Sequence, residues 1–164
     1  MSRKLTDLNP EARTKASAAI AELLRKHVPH AITCTLRTKE EQYALWCQGR
    51  KPLDEVNEER AKAGLYRLSP KENTYTVTNC DGTRISKGGT GRSAHQTGNA
   101  IDVVPAESGR PVWPPVTDER WKVIADAFTS QGFTWGGDWD GDGLTAFDGD
   151  DDEDFVDYPH YQLL

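Results

Sequence analysis

The strongest constraint on this fold is a carboxylate placed inside an apolar strand pattern. Asp102 lies at the centre of the run 100–104 (AIDVV), whose β-branched residues predict a buried strand. Burying an unpaired charge is costly, so Asp102 requires a positive partner. His95 precedes it by seven residues across a turn that contains Gly98, so the chain can fold back and bring an imidazole to the carboxylate.

The remaining patterns predict one α+β domain over residues 1–164, with a central antiparallel or mixed sheet flanked by helices. Helix-start signals occur at Asn9-Pro10, at the capping box Thr38 to Glu41 and at Thr117-Asp118. Strand patterns cover 31–36, 75–78, 100–104, 133–135 and 158–163. The charged stretch 51–68 has little apolar stripe, so it is either an exposed helix or an ordered insertion.

A second group of candidate ligands lies near the end of the chain, where Asp157 precedes His160 by three residues. Two histidines and one carboxylate are a common catalytic zinc set, which leaves one position open for water. We therefore predict zinc ligation by His95, Asp102 and His160, with Asp157 as the catalytic base. Residues three apart in an ideal strand face opposite sides, so Asp157 and His160 must be joined by a turn or a bulge.

The string 93–102 (SAHQTGNAID) resembles the S-x-H-x-x-G-x-A-x-D signature of zinc peptidases that cut bacterial cell-wall peptides. This family contains D-Ala-D-Ala carboxypeptidases and phage L-alanyl-D-glutamate endopeptidases. Residues 157–161 (DYPHY) resemble the family segment that carries the general base and the third ligand. Further resemblance, closer to the endopeptidase branch, lies at 36–38, 41–42, 48–50, 78–79 and 133–139.

The resemblance implies the D-Ala-D-Ala carboxypeptidase/hedgehog-like zinc peptidase fold. It also implies an endolysin that hydrolyses the L-alanyl-D-glutamate bond of peptidoglycan stem peptides. Arg37 would bind substrate or stabilise the oxyanion, and Ser93 would support the site through a neighbouring contact. Two alternatives stay open: a D-Ala-D-Ala carboxypeptidase, and a non-catalytic cell-wall or calcium-binding module.

The expected partner is bacterial peptidoglycan, with no nucleic acid, no membrane insertion and a monomeric state. No segment approaches the roughly 20 apolar residues of a membrane span, and the N-terminus lacks a signal-peptide pattern. The phage resemblance implies accumulation in the host cytoplasm and release to the wall through a separately made pore. Cys34, Cys47 and Cys80 lack C-x-x-C spacing, which predicts reduced thiols rather than disulfides or a thiolate zinc site.

Acidity is concentrated in residues 138–157, which hold ten of the 26 acids and no Lys or Arg. The rest of the chain holds the other 16 acids and all 20 bases, so its net charge is +4, although the whole chain has a net charge of -6. The segment 138–143 (DWDGDG) matches the opening of a calcium-binding loop. The candidate calcium ligands are Asp138, Asp140, Asp142 and Asp148. Position twelve is Gly149, which argues against a complete EF-hand, and a solvated acidic loop is the alternative.

Overall fold

The computed structural model describes residues 1–83, 91–139 and 156–164. The α-helices and strands of these residues are, in chain order, α1 (Pro10–Arg25), β1 (His30–Cys34), α2 (Lys39–Cys47), α3 (Leu53–Lys62), β2 (Ala100–Glu107), β3 (Arg110–Pro111), α4 (Arg120–Thr129), β4 (Thr134–Trp135) and β5 (His160–Gln162). Short 3-10 helices cover Leu5–Asp7, Glu72–Thr74 and Ala94–Gln96. Within the described ranges, no helix is both long enough and apolar enough to cross a membrane.

Contacts group the chain into two compact units. The helical unit is Met1 with Arg37–Gln96, and it contains α2 and α3. The sheet unit is Ser2–Leu36 with Thr97–Leu164, and it contains α1, α4 and all five strands.

The sheet unit is built on an antiparallel sheet of order β1-β2-β5-β4, with β3 paired to β2. The core packs apolar side chains of β2 against α1 and α4. Ile101 and Val103 are fully buried, and α4 adds the fully buried Phe128. Phe128 also stacks on Tyr161 of β5, with ring centroids 4.4 Å apart. These contacts tie β2 and β5, which carry Asp102 and His160, to the rigid centre of the unit.

The helical unit has a smaller core, formed by Cys47, Val56 and Leu68. The stretch 51–68 contains α3, and the buried face of this helix includes Asn57 as well as Val56. Asn57 Nδ2 donates to the Leu68 carbonyl at 3.2 Å, and the Leu68 N–H donates to Asn57 Oδ1 at 2.7 Å. The charged stretch is therefore a helix with a buried polar anchor, which explains its weak apolar stripe.

The predicted α+β class is confirmed, as are two helix starts. The Asn9 side chain accepts from the Ala12 N–H at the start of α1, and Thr38 with Glu41 forms the predicted capping box of α2. These caps depend only on residues three apart, so they can be recognised in the sequence.

One predicted strand and one predicted helix cap were wrong, although the capped helix itself is present. Residues 75–78 form no strand, because Thr78 is held by a hydrogen bond from the Gln42 side chain rather than by a ladder. Helix α4 begins at Arg120, after the predicted Thr117-Asp118 cap. A turn closed by the Asp118 N–H donating to the Pro115 carbonyl precedes the helix, and Asp118 Oδ1 then accepts from the Arg120 N–H at 3.0 Å.

Candidate metal centre

Asp102 lies at the centre of the sheet, between a cysteine and a histidine. In the antiparallel register its Cα pairs with that of Cys34 on β1 and with that of His160 on β5. Directly opposed residues of antiparallel strands direct their side chains to the same face. The sheet therefore presents a thiol, a carboxylate and an imidazole side by side, and all three residues are buried.

His160 is a hydrogen-bonding partner of the buried Asp102, whereas the sequence analysis had assigned the imidazole of His95 to this carboxylate. His160 Nδ1 lies 3.1 Å from Asp102 Oδ1, and its Nε2 lies 3.2 Å from Gln162 Oε1. Burial by itself lowers the pKa of His160, but the hydrogen bond and the negative charge of Asp102 outweigh it. The charge of Asp157 acts in the same direction, so the pKa of His160 lies above its ordinary value.

Asp157 and His160 are joined by a turn, as the sequence analysis required. The His160 N–H donates to the Asp157 carbonyl at 2.9 Å. Gly136 fixes this turn from both sides: its carbonyl accepts from the Asp157 N–H at 2.6 Å, and its N–H donates to the His160 carbonyl at 2.8 Å. A Cβ at Gly136 would lie 2.5 Å from the Asp157 carbonyl oxygen, so this close approach requires glycine.

Cys34 reaches Asp102 because β1 contains a bulge. Ile32 pairs with Val103, but Cys34 rather than Thr33 pairs with Asp102. The extra residue places the Cys34 sulphur within 4.8 Å of a carboxylate oxygen of Asp102. Bulges re-aim side chains in this way next to functional sites.

Within the sheet unit, Cys34 and Asp102 offer a sulphur and a carboxylate oxygen within 4.8 Å of one another, and this buried pair could hold a metal ion. The geometry of the sheet unit fits such an ion. Two ligands of a tetrahedral zinc lie roughly 3.3 Å apart when their bonds are about 2.0–2.2 Å long, close to the 3.1 Å between Asp102 Oδ1 and His160 Nδ1. Carboxylate, imidazole and thiol donors together suit a borderline-soft divalent cation.

In the helical unit, His95 is completely buried in the 3-10 helix Ala94–Gln96. Its N–H donates to Ser93 Oγ at 3.3 Å, and its carbonyl accepts from the Arg37 N–H at 3.2 Å. Gln96 ties this helix down further, since its Nε2 donates to the Gly82 carbonyl at 3.1 Å. Ser93 and Arg37 thus fix the backbone of His95.

The Arg37 side chain is oriented by a buried amide. Arg37 Nη1 donates to Gln42 Oε1 at 3.3 Å. Gln42 is fully buried, and its Nε2 donates to Thr78 Oγ1 at 3.1 Å and to the Cys80 carbonyl at 2.7 Å. One helical side chain therefore connects the guanidinium of Arg37 with the segment around Thr78.

Three positioning residues were absent from the sequence analysis: Gly136, Gln42 and Gln162. Their roles depend on contacts between distant segments, although Gln42 and Gly136 lie in stretches where the family resemblance was noted. Cys34 was predicted to lie outside any metal site, but the structure places its sulphur beside Asp102 in a group that could hold a metal ion. Its pairing with Asp102 has no sequence signal, because it depends on the bulge.

Of the candidate calcium ligands, Asp138 is described and half-buried, and its N–H donates to the Trp135 carbonyl at 3.2 Å. Asp140, Asp142 and Asp148 lie outside the described residues, as does Gly149.

Comparison with known proteins agrees with this architecture. A family model described as D-alanyl-D-alanine carboxypeptidase matches residues 86–144, a little over a third of the chain, including the string 93–102. The chain is similar to the crystal structure of the L-Ala D-Glu endopeptidase ChiX from Serratia marcescens, with a TM-score of 0.50 and 22% identity over 98% of this chain and 83% of that one. It is also similar to the LD-carboxypeptidase LdcB, with a TM-score of 0.50 and 17% identity over 96% of this chain and 65% of that one. At these identities the structural likenesses establish the fold.

Proposed function

We propose that the chain is a zinc-dependent peptidoglycan endopeptidase of the D-alanyl-D-alanine carboxypeptidase-like family. Its substrate is the L-alanyl-D-glutamate bond of stem peptides, and its biological role is the lysis of a bacterial host by a phage. The observation that carries this proposal is the in-register contact of Asp102 with His160, 3.1 Å apart and buried. The matched family model and the similarity to an L-Ala D-Glu endopeptidase support the choice of reaction.

In this proposal His95, Asp102 and His160 hold the zinc ion. His95 is assigned as a ligand because it lies in the string 93–102 and is buried. Asp102 and His160 are assigned because their side chains are in contact in the sheet. When bound, zinc polarises a peptide carbonyl and lowers the pKa of water, which is the chemistry that amide hydrolysis needs. The burial of the ligands strengthens their hold on a cation, because few waters screen the charge.

Asp157 acts as the general base. A turn brings Asp157 close to His160, three residues later in the chain, and the negative charge of Asp157 raises the pKa of the His160 imidazole. A carboxylate in this position accepts a proton from the attacking water and returns it to the leaving amine. The hydrogen bonds of Gly136 hold the turn, so the carboxylate needs little reorganisation during the reaction.

Arg37 binds the substrate through its guanidinium. Gln42 orients this group at 3.3 Å, and a guanidinium suits either a substrate carboxylate or a developing oxyanion. Stem peptides carry several carboxylates, which gives Arg37 a natural partner in the substrate.

The test is hydrolysis of purified muropeptides, followed by mass spectrometry of the products. The zinc-loaded protein is expected to release fragments cut between L-alanine and D-glutamate. The Asp157→Ala variant is expected to retain zinc but to hydrolyse about 10²–10⁴-fold more slowly, the usual loss for a missing general base. Unchanged hydrolysis by this variant would remove Asp157 from the mechanism.

The main rival is a D-Ala-D-Ala carboxypeptidase, which the description of the matched family model favours. The same experiment separates the two activities by mass. Loss of a terminal alanine alone would replace the endopeptidase with the carboxypeptidase. Intact muropeptides after incubation with zinc-loaded protein would reject both.

A further inference from the structure

Cys34 lies beside the proposed metal ligands, but the proposed function gives it no role. It is the last residue of β1 and is 2% exposed. Its pairing places it on one side of Asp102, and His160 lies on the other side, because β2 runs between β1 and β5. Asp102 is thus flanked on one sheet face by a sulphur donor and a nitrogen donor.

The position of Cys34 depends on an irregularity of the strand. A regular ladder continuing from Ile32 opposite Val103 would set Thr33 against Asp102 and direct Cys34 to the other face. The bulge instead brings the sulphur within 4.8 Å of a carboxylate oxygen of Asp102. Sulphur and oxygen bound to one zinc ion lie roughly 3.5 Å apart, given bonds of about 2.3 Å and 2.0–2.2 Å. A side-chain adjustment of about 1 Å therefore suffices for both to reach one ion.

We propose that Cys34 is a further ligand of the metal bound by Asp102 and His160. This inference rests on the proposed function, since it concerns the same ion. On binding, the Cys34 thiol loses its proton to solvent and the thiolate sulphur forms the bond to the metal. A thiolate selects zinc, cobalt or cadmium over magnesium and calcium, because it is a soft donor.

Sulphur ligation also changes how firmly the metal is held. A zinc ion with four protein ligands is of the closed type, whereas catalysis needs an open or expanded position. As a further ligand, Cys34 would increase retention of the ion. The Cys34→Ala variant is expected to lose zinc to a competing chelator at a concentration at least about tenfold lower than the unmodified protein does.

The decisive experiment is titration of the metal-free full chain with Co²⁺, followed by absorption spectroscopy. Cobalt bound to thiolate shows an intense charge-transfer band in the near ultraviolet, and cobalt bound by any protein ligands in tetrahedral geometry shows weaker visible bands. We expect both sets of bands in the unmodified protein, and only the visible bands in Cys34→Ser and Cys34→Ala. The matched control is Cys80→Ser, a half-buried thiol of the helical unit, which should retain both.

The two proposals fail in different ways in this experiment. Visible bands without a charge-transfer band in the unmodified protein would overturn the role of Cys34 and leave the metal centre intact. A charge-transfer band that persists in both Cys34 variants would also overturn it. If the unmodified protein showed no cobalt band and also bound no zinc, the metal centre on which the proposed function depends would be rejected.

Discussion

The sheet unit and the helical unit hold their candidate functional groups by different means. Asp102 and His160 are fixed by the ladder between β2 and β5, in which backbone hydrogen bonds set the position of each side chain. Arg37 and His95 lie in irregular segments and are held by individual hydrogen bonds, among them those with Gln42 and Ser93 and the bond from the Arg37 N–H to the His95 carbonyl. The ladder is shared by many residues, whereas the irregular segments depend on individual side chains. The two units should therefore respond differently to substitution.

The largest effect is expected for Asp102→Ala in the sheet unit. The change removes a metal ligand and the partner of His160, while the ladder keeps the backbone in place. We expect loss of bound zinc and a fall in the hydrolysis rate of at least about 10³-fold, the loss typical of residues that are essential for catalysis. Zinc content and muropeptide turnover measure the two losses.

The control for this change is Asp126→Ala, which removes an exposed acid of α4 and should keep both zinc and activity. Full zinc content in Asp102→Ala would contradict the assignment of this carboxylate.

The second-largest effect on activity is expected for Gly136→Ala, which disturbs the turn between Asp157 and His160 rather than the strand ladder. The new Cβ would lie 2.5 Å from the Asp157 carbonyl oxygen and 2.9 Å from Trp139 Cζ2. The overlap should cost about 1–3 kcal/mol, and displacement of Asp157 should lower kcat about tenfold or more. Thermal unfolding and kinetics test these values.

Gly64→Ala is the matched control. Gly64 has a φ of +67° and no neighbour within 4 Å of an added Cβ, so alanine there strains the backbone by about 1 kcal/mol without touching the turn. If both variants lost kcat equally, Gly136 would have no special part in positioning Asp157.

In the helical unit, Gln42→Ala tests how much the Gln42 side chain contributes to stability and to the orientation of the Arg37 guanidinium. The change removes an acceptor of Arg37 and the Nε2 donor that Thr78 Oγ1 and the Cys80 carbonyl share. Loss of stability of about 1–3 kcal/mol is expected for such buried polar groups. KM should rise by about three- to tenfold with a smaller change in kcat, since Arg37 binds substrate.

Lys39→Ala, at an exposed position of the same helix, should leave both constants unchanged. A fall in kcat without a rise in KM would mean that Gln42 acts on the chemistry rather than through substrate binding.

The smallest effect is expected at a partly exposed ion pair of the sheet unit, that of Asp118 and Arg120. Hydrogen bonds from Arg120 lower the pKa of Asp118 from 3.8 to about 2. A lowered pKa means that the ionised carboxylate stabilises the fold; this contribution is complete above about pH 4 and is lost as the pH falls towards 2. Because partly exposed pairs contribute little, Asp118→Asn should lower Tm only slightly near pH 6. This difference should disappear as the pH falls below about 2. A Tm difference that grows on acidification would contradict this sign.

The same difference between the ladder and the irregular segments decides which features could be predicted from the sequence. The strand around Asp102 and the capping box of Thr38 and Glu41 follow from patterns a few residues long, and both were predicted correctly. Residues 75–78 have aromatic and β-branched side chains and so carry a strand pattern. Within the described ranges they nevertheless pair with no strand, and Gln42 binds Thr78 instead. Local propensity decides an element only where a partner strand is available.

The site was predicted in part for the same reason. The predicted burial of Asp102 indicated that its carboxylate needs a partner, and His160 lies within hydrogen-bonding distance of this carboxylate. The place of Cys34 could not be predicted, because one extra residue in β1 decides which side chain faces Asp102. The contact of Gln162 with His160 likewise depends on β5 folding against β2.

The most direct test of the central claim is anomalous diffraction at the zinc absorption edge from crystals of the zinc-loaded chain. The account predicts one zinc ion bonded to an Asp102 carboxylate oxygen and to His160 Nδ1, each at about 2.0–2.2 Å. An anomalous peak elsewhere, or none within bonding distance of both side chains, would contradict it.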